Sequence, residues 1–140
     1  MDTISEEKRS WNMSRIRGKN TKPELIVRSS LHRMGYRFRL HRKDLPGNPD
    51  IVLPKYNIAV FVHGCFWHRH KGCKYAYTPK SRVDFWVNKF DGNIKRDKKY
   101  QRQLKALGWK VVVLWECEIK DKNNLSTVIV NKFEAVGFKF

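Results

Sequence analysis

The chain has 140 residues and a mass of 16.7 kDa, enough for one domain with a real core and too little for two. Thirty Lys and Arg against thirteen Asp and Glu give a net charge of +17, more than solubility needs and spread along the chain, so the expected partner is a polyanion. No apolar run approaches the roughly 20 residues of a transmembrane helix and no lipidation motif is visible, which sets a membrane span aside.

The opening MDTISEEKRSWNM is polar and acidic where a signal peptide is apolar, so the sequence predicts a cytosolic protein. In a reducing compartment its three cysteines point to metal or buried thiols before disulfides. EEKRSWNMSRIRG predicts a short basic helix carrying Trp11, Met13 and Ile16 and ending at Gly18. A firmer helix is predicted from Thr21 to Met34. Thr21 and Glu24 have capping-box spacing, Pro23 suits the first turn, Leu25, Ile26, Leu31 and Met34 make an apolar stripe, and Gly35 stops it.

Three strand candidates follow: Tyr36 to Leu40, Asp50 to Pro54 and Asn57 to His63, the last two joined by a tight hairpin at Lys55-Tyr56. A long helix is predicted from about Arg82 to Leu107, with Gly92 as a point of kinking or division. Trp109 to Glu116 reads as a strand apolar enough for the centre of a sheet, and a final helix covers Leu125 to Ala135. Neither repeats nor linkers interrupt this order. It predicts an α/β fold, a single domain over 1–140 whose sheet is covered by helices, and a fold class alone names no activity.

FVHGCFWHRHKGC, Phe61 to Cys73, concentrates the chemistry. Cys65, His70 and Cys73, with Cys117 after the last strand, offer the sulfur and nitrogen donors that suit tetrahedral Zn²⁺; four protein ligands leave no open position, so such a site is structural. Three free cysteines, Cys117 buried beside the sheet, are the plainer alternative. Asp50 at a strand start beside a basic surface is a candidate Mg²⁺ ligand, although Asn48-Pro49-Asp50 is also ordinary turn sequence. His68, the histidine left over if His70 binds zinc, suits proton abstraction from water; a surface or supporting role is its alternative. Glu24 is a candidate to orient that histidine or to bind a metal-bound water, and the capping box explains it without any chemistry. Phe66 and Trp67 lie in a loop too polar to bury them easily, and Phe85-Trp86 open a helix among cations; rings so placed can stack on bases or wedge between base steps.

Together these residues resemble the very short patch repair (Vsr) endonucleases. The likeness runs along nearly the whole chain: R-S-x-N-M at Arg9 to Met13, L-P-G-x-P-D at Leu45 to Asp50, H-G-C-F-W-H at His63 to His68, F-W at Phe85 to Trp86, N-x-x-R-D at Asn93 to Asp97, and L-G-W-K-V with W-E-C between Leu107 and Cys117. The resemblance implies a restriction-endonuclease-like fold, a central mixed sheet flanked by helices with a structural zinc site, and residues 1–20 as a DNA-contacting arm. It also implies Mg²⁺-dependent nicking of duplex DNA 5′ to a thymine mispaired with guanine, the product of 5-methylcytosine deamination.

Carried onto this chain, the family pattern makes Asp50 the metal-binding carboxylate, the Val62 main-chain carbonyl a second metal ligand, His68 the base and Glu24 a helper acid near His68 and the metal waters. Cys65, His70, Cys73 and Cys117 become the zinc ligands. Phe66, Trp67 and Trp86 become the wedge beside the mismatch, and Met13 resembles the residue entering from the opposite groove. The partners implied are double-stranded DNA with a T:G mismatch, mismatch-repair proteins such as MutL and a cytosine methyltransferase, for a cytoplasmic, nucleoid-associated monomer. The chain ends soon after the last predicted helix, where relatives carry a longer tail, and two further features depart from the wider pattern, the first of them shared with the Vsr branch, which uses a main-chain carbonyl there. Ala59-Val60-Phe61-Val62 lacks the acid and lysine common in the wider superfamily, and the interval from Cys65 to Cys73 is one residue longer than in the best-known form. Two rivals share these motifs in part: a restriction-type nuclease cutting matched duplex DNA, and a zinc-stabilised DNA-binding module without catalysis. A third, an RNA-binding basic protein, explains the charge alone.

Overall fold

The structure is a computed structural model that describes residues 21–121 and 123–138. The predicted N-terminal helix and arm, with Met13, lie outside them. Among the described residues four strands form one mixed sheet: β1 (Arg39–Leu40), β2 (Ile51–Leu53), β3 (Ile58–His63) and β4 (Lys110–Trp115), in that spatial order. β1, β2 and β3 pair antiparallel, and β4 runs parallel to β3, with Ile58 opposite Lys110 and His63 opposite Trp115. Four α-helices accompany them: α1 (Lys22–Arg33), α2 (Val83–Ala106), α3 (Glu116–Lys120) and α4 (Leu125–Ala135). No helix among the described residues is long and apolar enough to cross a membrane.

The period-two alternation of the strands builds two cores. Ile51, Leu53, Ile58, Val60, Val112 and Leu114 face one side, where Val27 and Leu31 of α1, Ile119 of α3 and Leu125, Ile129 and Phe133 of α4 close over them. Val52, Ala59, Phe61 and Val111 face the other, against Leu104 of α2 and Leu45. A helical layer therefore covers each face, which is why β2, β3 and β4 read as nearly continuous apolar runs.

That reading misplaces β4, which ends the described sheet rather than lying at its centre. Continuous apolarity reports cover on both faces, and it is silent about hydrogen-bonding neighbours. β3 holds the more central place. The first strand is also shorter than its alternation suggests. Gly35, at φ +89°, ends α1 so that the Tyr36 amide donates to the Leu31 carbonyl at 3.0 Å, a Schellman closure. Tyr36 then packs edge-on against Tyr56 and Phe133 instead of joining the sheet. Between β2 and β3 the chain makes one 3₁₀ turn, Pro54–Tyr56, and leaves it through Asn57 in the left-handed region.

α2 runs unbroken through Gly92, and a Cβ there would meet nothing within 4 Å. The predicted kink is absent because a glycine in a helix interior costs only about 0.5–1 kcal/mol relative to alanine, which a 24-residue helix anchored by Phe90 and Leu104 absorbs. Gly92→Ala is therefore expected to raise stability by about 0.5–1 kcal/mol, measured by urea unfolding; a loss of stability would show that the position is crowded. α3 has no counterpart among the predicted elements. Its five residues start where β4 ends, and the Glu118 carboxylate accepts from the Trp115 amide at 3.0 Å. This turn carries Cys117 off the strand and back toward the 65–73 loop.

Candidate active site

A cleft of about 800 Å³ opens along one end of the sheet, lined by the start of α1, the loop before β2, the end of β3 and one face of α2. Asp50 enters it from the residue preceding β2. The Leu45 to Pro49 turn delivers it there through two left-handed residues, Gly47 at φ +77° and Asn48 at φ +47°. Gly47 also passes so near α2 that a Cβ would sit 2.8 Å from Cβ of Tyr100, so this glycine serves both the turn and the contact.

The Asp50 Oδ2 accepts from the Val62 amide at 2.7 Å. Burial lifts the Asp50 carboxyl to about 7, opposed by the Val62 amide and reinforced by the negative charge of Glu24. Glu24 itself is 2% exposed. Thr21 caps α1 by accepting from the Glu24 amide at 3.4 Å, so the predicted cap forms through its backbone half. The Glu24 side chain turns into the cleft, where Arg28 donates to Oε2 at 3.2 Å and His41 Nε2 lies 3.6 Å away. Donor atoms of Glu24, His41 and Asp50 all lie within 4.8 Å of one another. One buried and one partly buried carboxylate with an imidazole this close suit a divalent cation, because a cation offsets both their repulsion and their lost hydration.

His68 lies on the other side of the cleft and is oriented by a different acid. Its Nδ1 meets Oδ2 of Asp97 at 2.7 Å, so a neutral ring carries its proton at Nδ1 and keeps Nε2 as an acceptor. His63 stacks on it, with centroids 3.8 Å apart and planes 5° from parallel. Burial and then the neighbouring His68 push His63 down to about 3, leaving a neutral ring stacked behind His68. Asn93 and Asp97 are one helical turn apart on α2. Asn93 Nδ2 donates to the Trp67 carbonyl at 3.0 Å while Asp97 takes His68, so the N-x-x-R-D motif grips two successive loop residues from one helix face.

The loop between β3 and α2 has no regular secondary structure from Gly64 to Arg82. Cys65, His70, Cys73 and Cys117 bring one ligand atom each within 4.8 Å of the others. His70 Nδ1 is 3.7 Å from Cys65 Sγ and 3.3 Å from Cys117 Sγ. Tetrahedral Zn²⁺ bonds of about 2.0–2.3 Å separate their ligands by about 3.5–3.8 Å, so the donor set fits such an ion, longer loop included. Trp115 stacks on His70 at 4.3 Å and holds the ring in place. Burial pushes the Cys65 thiol up to about 12, and Cys117 is raised for the same reason; the Tyr75 backbone amide holds Cys73 lower.

Phe66, Trp67 and Trp86 are half-buried and pack on one another at 5.0–6.0 Å, with Phe90 beneath Phe66 and Trp86 and Phe85 45% exposed beside them. Arg69, left-handed at φ 57°, donates to the carbonyls of Phe66, Ala76 and Tyr77 and lies 3.9 Å from the centre of the Phe90 ring. His41, His63, Arg69 and the pairing of Asp97 with His68 are not evident from the sequence. Asp97 and His63 leave a signal there only as the last and first residues of recognised motifs.

A strand-end cleft combining a carboxylate that suits a divalent cation with an oriented imidazole has the chemistry for phosphodiester hydrolysis, and the catalytic domain of the homing endonuclease I-Bth0305I has a similar fold, with a TM-score of 0.57 and 20% identity over 85% of this chain and all of that one. A family model described as DNA mismatch endonuclease Vsr matches residues 1–74. The type II nicking enzyme V.XorIIP of Xanthomonas oryzae pv. oryzae is 52% identical over 130 residues, 93% of this chain and 95% of its own. DNA mismatch endonuclease Vsr of Escherichia coli K12 is 37% identical over 125 residues, 89% of this chain and 80% of its own. The chain belongs to the Vsr family of DNA endonucleases.

Proposed function

We propose that this endonuclease is a Mg²⁺-dependent nickase that cuts one strand of duplex DNA 5′ to a thymine mispaired with guanine, opening very short patch repair. The observation that carries the reading is the convergence of Asp50 and the His68–Asp97 pair on one cleft that Trp67, one of the packed aromatic rings, also lines. Asp50, with the Val62 carbonyl as the family pattern suggests, is the site for Mg²⁺, and Glu24 adds charge beside it. A divalent cation held there would supply positive charge to offset the charge on the scissile phosphate. His68 takes the proton from the attacking water at Nε2, and Asp97 holds the tautomer and stabilises the imidazolium that results.

Phe66, Trp67 and Trp86 act as the wedge. A mispair unstacks at less cost than a Watson–Crick pair, so a rigid aromatic block selects it by deformability as well as by contact. Met13, outside the described residues, is assigned the complementary wedge. Cys65, His70, Cys73 and Cys117 hold a structural Zn²⁺ that fastens the wedge loop to α3. The excess of Lys and Arg binds the backbone.

Mapping the cut on end-labelled T:G duplex, with Mg²⁺ or with EDTA, tests the reading. A single Mg²⁺-dependent break on the thymine strand is expected, and breaks in both strands would favour the restriction-type rival. Asp97→Asn is expected to lower kcat by about 10²–10⁴-fold with duplex affinity kept; an unchanged kcat would remove His68 from the chemistry. Trp67→Ala is expected to cost about 1–3 kcal/mol in binding T:G duplex and much less on matched duplex, read by fluorescence anisotropy. Equal losses on both would count against the wedge.

A further inference from the structure

The Glu24, His41 and Asp50 cluster is more than two acids around a hard cation. His41 is placed there by its backbone: its amide donates to the Asp50 carbonyl at 3.2 Å, and its φ of 49° is a conformation that non-glycine residues seldom adopt. Its Nε2 lies 3.0 Å from an Arg28 amino group, which can only donate, so this nitrogen presents its lone pair. The same Arg28 nitrogen lies 3.2 Å from Glu24 Oε2. A cationic nitrogen thus already contacts two of the three donors, one an oxygen and one an imidazole nitrogen.

We propose that His41 is an inner ligand of the catalytic cation, supplying one imidazole nitrogen beside the Asp50 and Glu24 carboxylates, and that it biases the site toward Mn²⁺ or a similar nitrogen-accepting divalent ion. The inference rests on the reading of Asp50 as the divalent-metal ligand. Mg²⁺ takes oxygen donors and keeps its waters, whereas first-row transition ions bind imidazole readily. On loading, the Arg28 amino group gives up His41 Nε2 and the incoming ion takes its place. Asp50 keeps its Val62 hydrogen bond through Oδ2, leaving Oδ1 for the ion.

The test is pulsed electron paramagnetic resonance on the full-length, zinc-replete protein loaded with one equivalent of Mn²⁺. Wild type is expected to show ¹⁴N modulation from a directly bound imidazole. His41→Gln keeps an oxygen acceptor for Arg28 but offers no imidazole, and is expected to lose that modulation. Its Mn²⁺ affinity should fall about 10-fold or more while its Mg²⁺ affinity changes less than about 2-fold, both by titration calorimetry. Mn²⁺ bound to wild type without ¹⁴N modulation overturns the His41 assignment and leaves the nickase reading standing, and that spectrum requires no variant to fold. Modulation that survives in His41→Gln assigns the nitrogen to another histidine and overturns it too. Failure of Mn²⁺ and Mg²⁺ alike to bind overturns both the assignment and the metal-dependent reading beneath it.

Discussion

Asp50→Asn is expected to abolish nicking, by at least about 10³-fold, and at the same time to make the metal-free protein more stable than wild type at pH 8. The Asp50 carboxyl is raised to about 7 mainly by burial, so the folded state holds its proton more tightly than the unfolded state, where the group titrates near about 3.9. The stability contribution of the protonated acid is fully present below that lower value and is lost as pH rises through about 7. At pH 8 the folded protein therefore carries a buried, ionised group that the unfolded chain solvates freely. A shift of this size corresponds to roughly 4 kcal/mol at most, and about 1–3 kcal/mol is expected after local relaxation. Asparagine has no charge to bury, and its amide oxygen can still accept from the Val62 amide.

Urea unfolding without divalent ions checks both halves of this expectation. The gap between variant and wild type should be widest at pH 8 and close toward pH 5, and Mg²⁺ should restore wild type alone. A variant less stable than wild type at both pH values would show that Asp50 is satisfied by its neighbours and is not held ready for a cation.

Removing zinc is expected to have the second large effect. The 64–82 stretch has no helix or strand of its own, and its buried anchor, Cys65, is tied through His70 to Cys117 of α3. Without the ion, Cys65 reverts to a thiol near 12, and the sulfur cluster loses the charge that draws it together. Cys117→Ala should lose the zinc and lower stability by about 3–5 kcal/mol, or roughly 10–15 °C in Tm for a domain of this size. The wedge loop, including Phe66 and Trp67, should become open to protease. Metal analysis and thermal melts check this. A zinc-free Cys117→Ala protein that melts within about 2 °C of wild type and still nicks would refute the structural assignment.

What the sequence reveals follows the range of the forces involved. α4 runs from Leu125 to Ala135 as its apolar spacing predicts, and α1 starts at its Thr21 cap and stops at Gly35, because capping and apolar periodicity are local. β4 is legible as a strand, yet its place at the end of the described sheet is a matter of non-local pairing that its own residues do not encode. α3 is too short to show a period.

The site divides in the same way. Asp50, His68 and the four sulfur and nitrogen donors stand out by residue type and spacing, and the fold brings the four donors together, and Asp50 to the same cleft as His68. Glu24 stands out as well; it lines the same cleft as Asp50 and His68 and contacts His41 and Arg28, while Asp97 pairs with His68. The Arg28–His41 and His68–Asp97 contacts span intervals of 13 and 29 residues and depend on how α1 and α2 dock on the sheet. Arg69 is silent in the sequence because its three carbonyl partners leave no trace in composition.

A single pair of duplexes, identical except for T or C opposite one guanine, decides the nickase reading. Single-turnover nicking in Mg²⁺ at saturating enzyme should be fast on the T:G duplex and at least about 10²-fold slower on the C:G duplex, with every break on the thymine strand. Equal rates on the two duplexes would contradict mismatch nicking and leave an endonuclease that reads matched sequence.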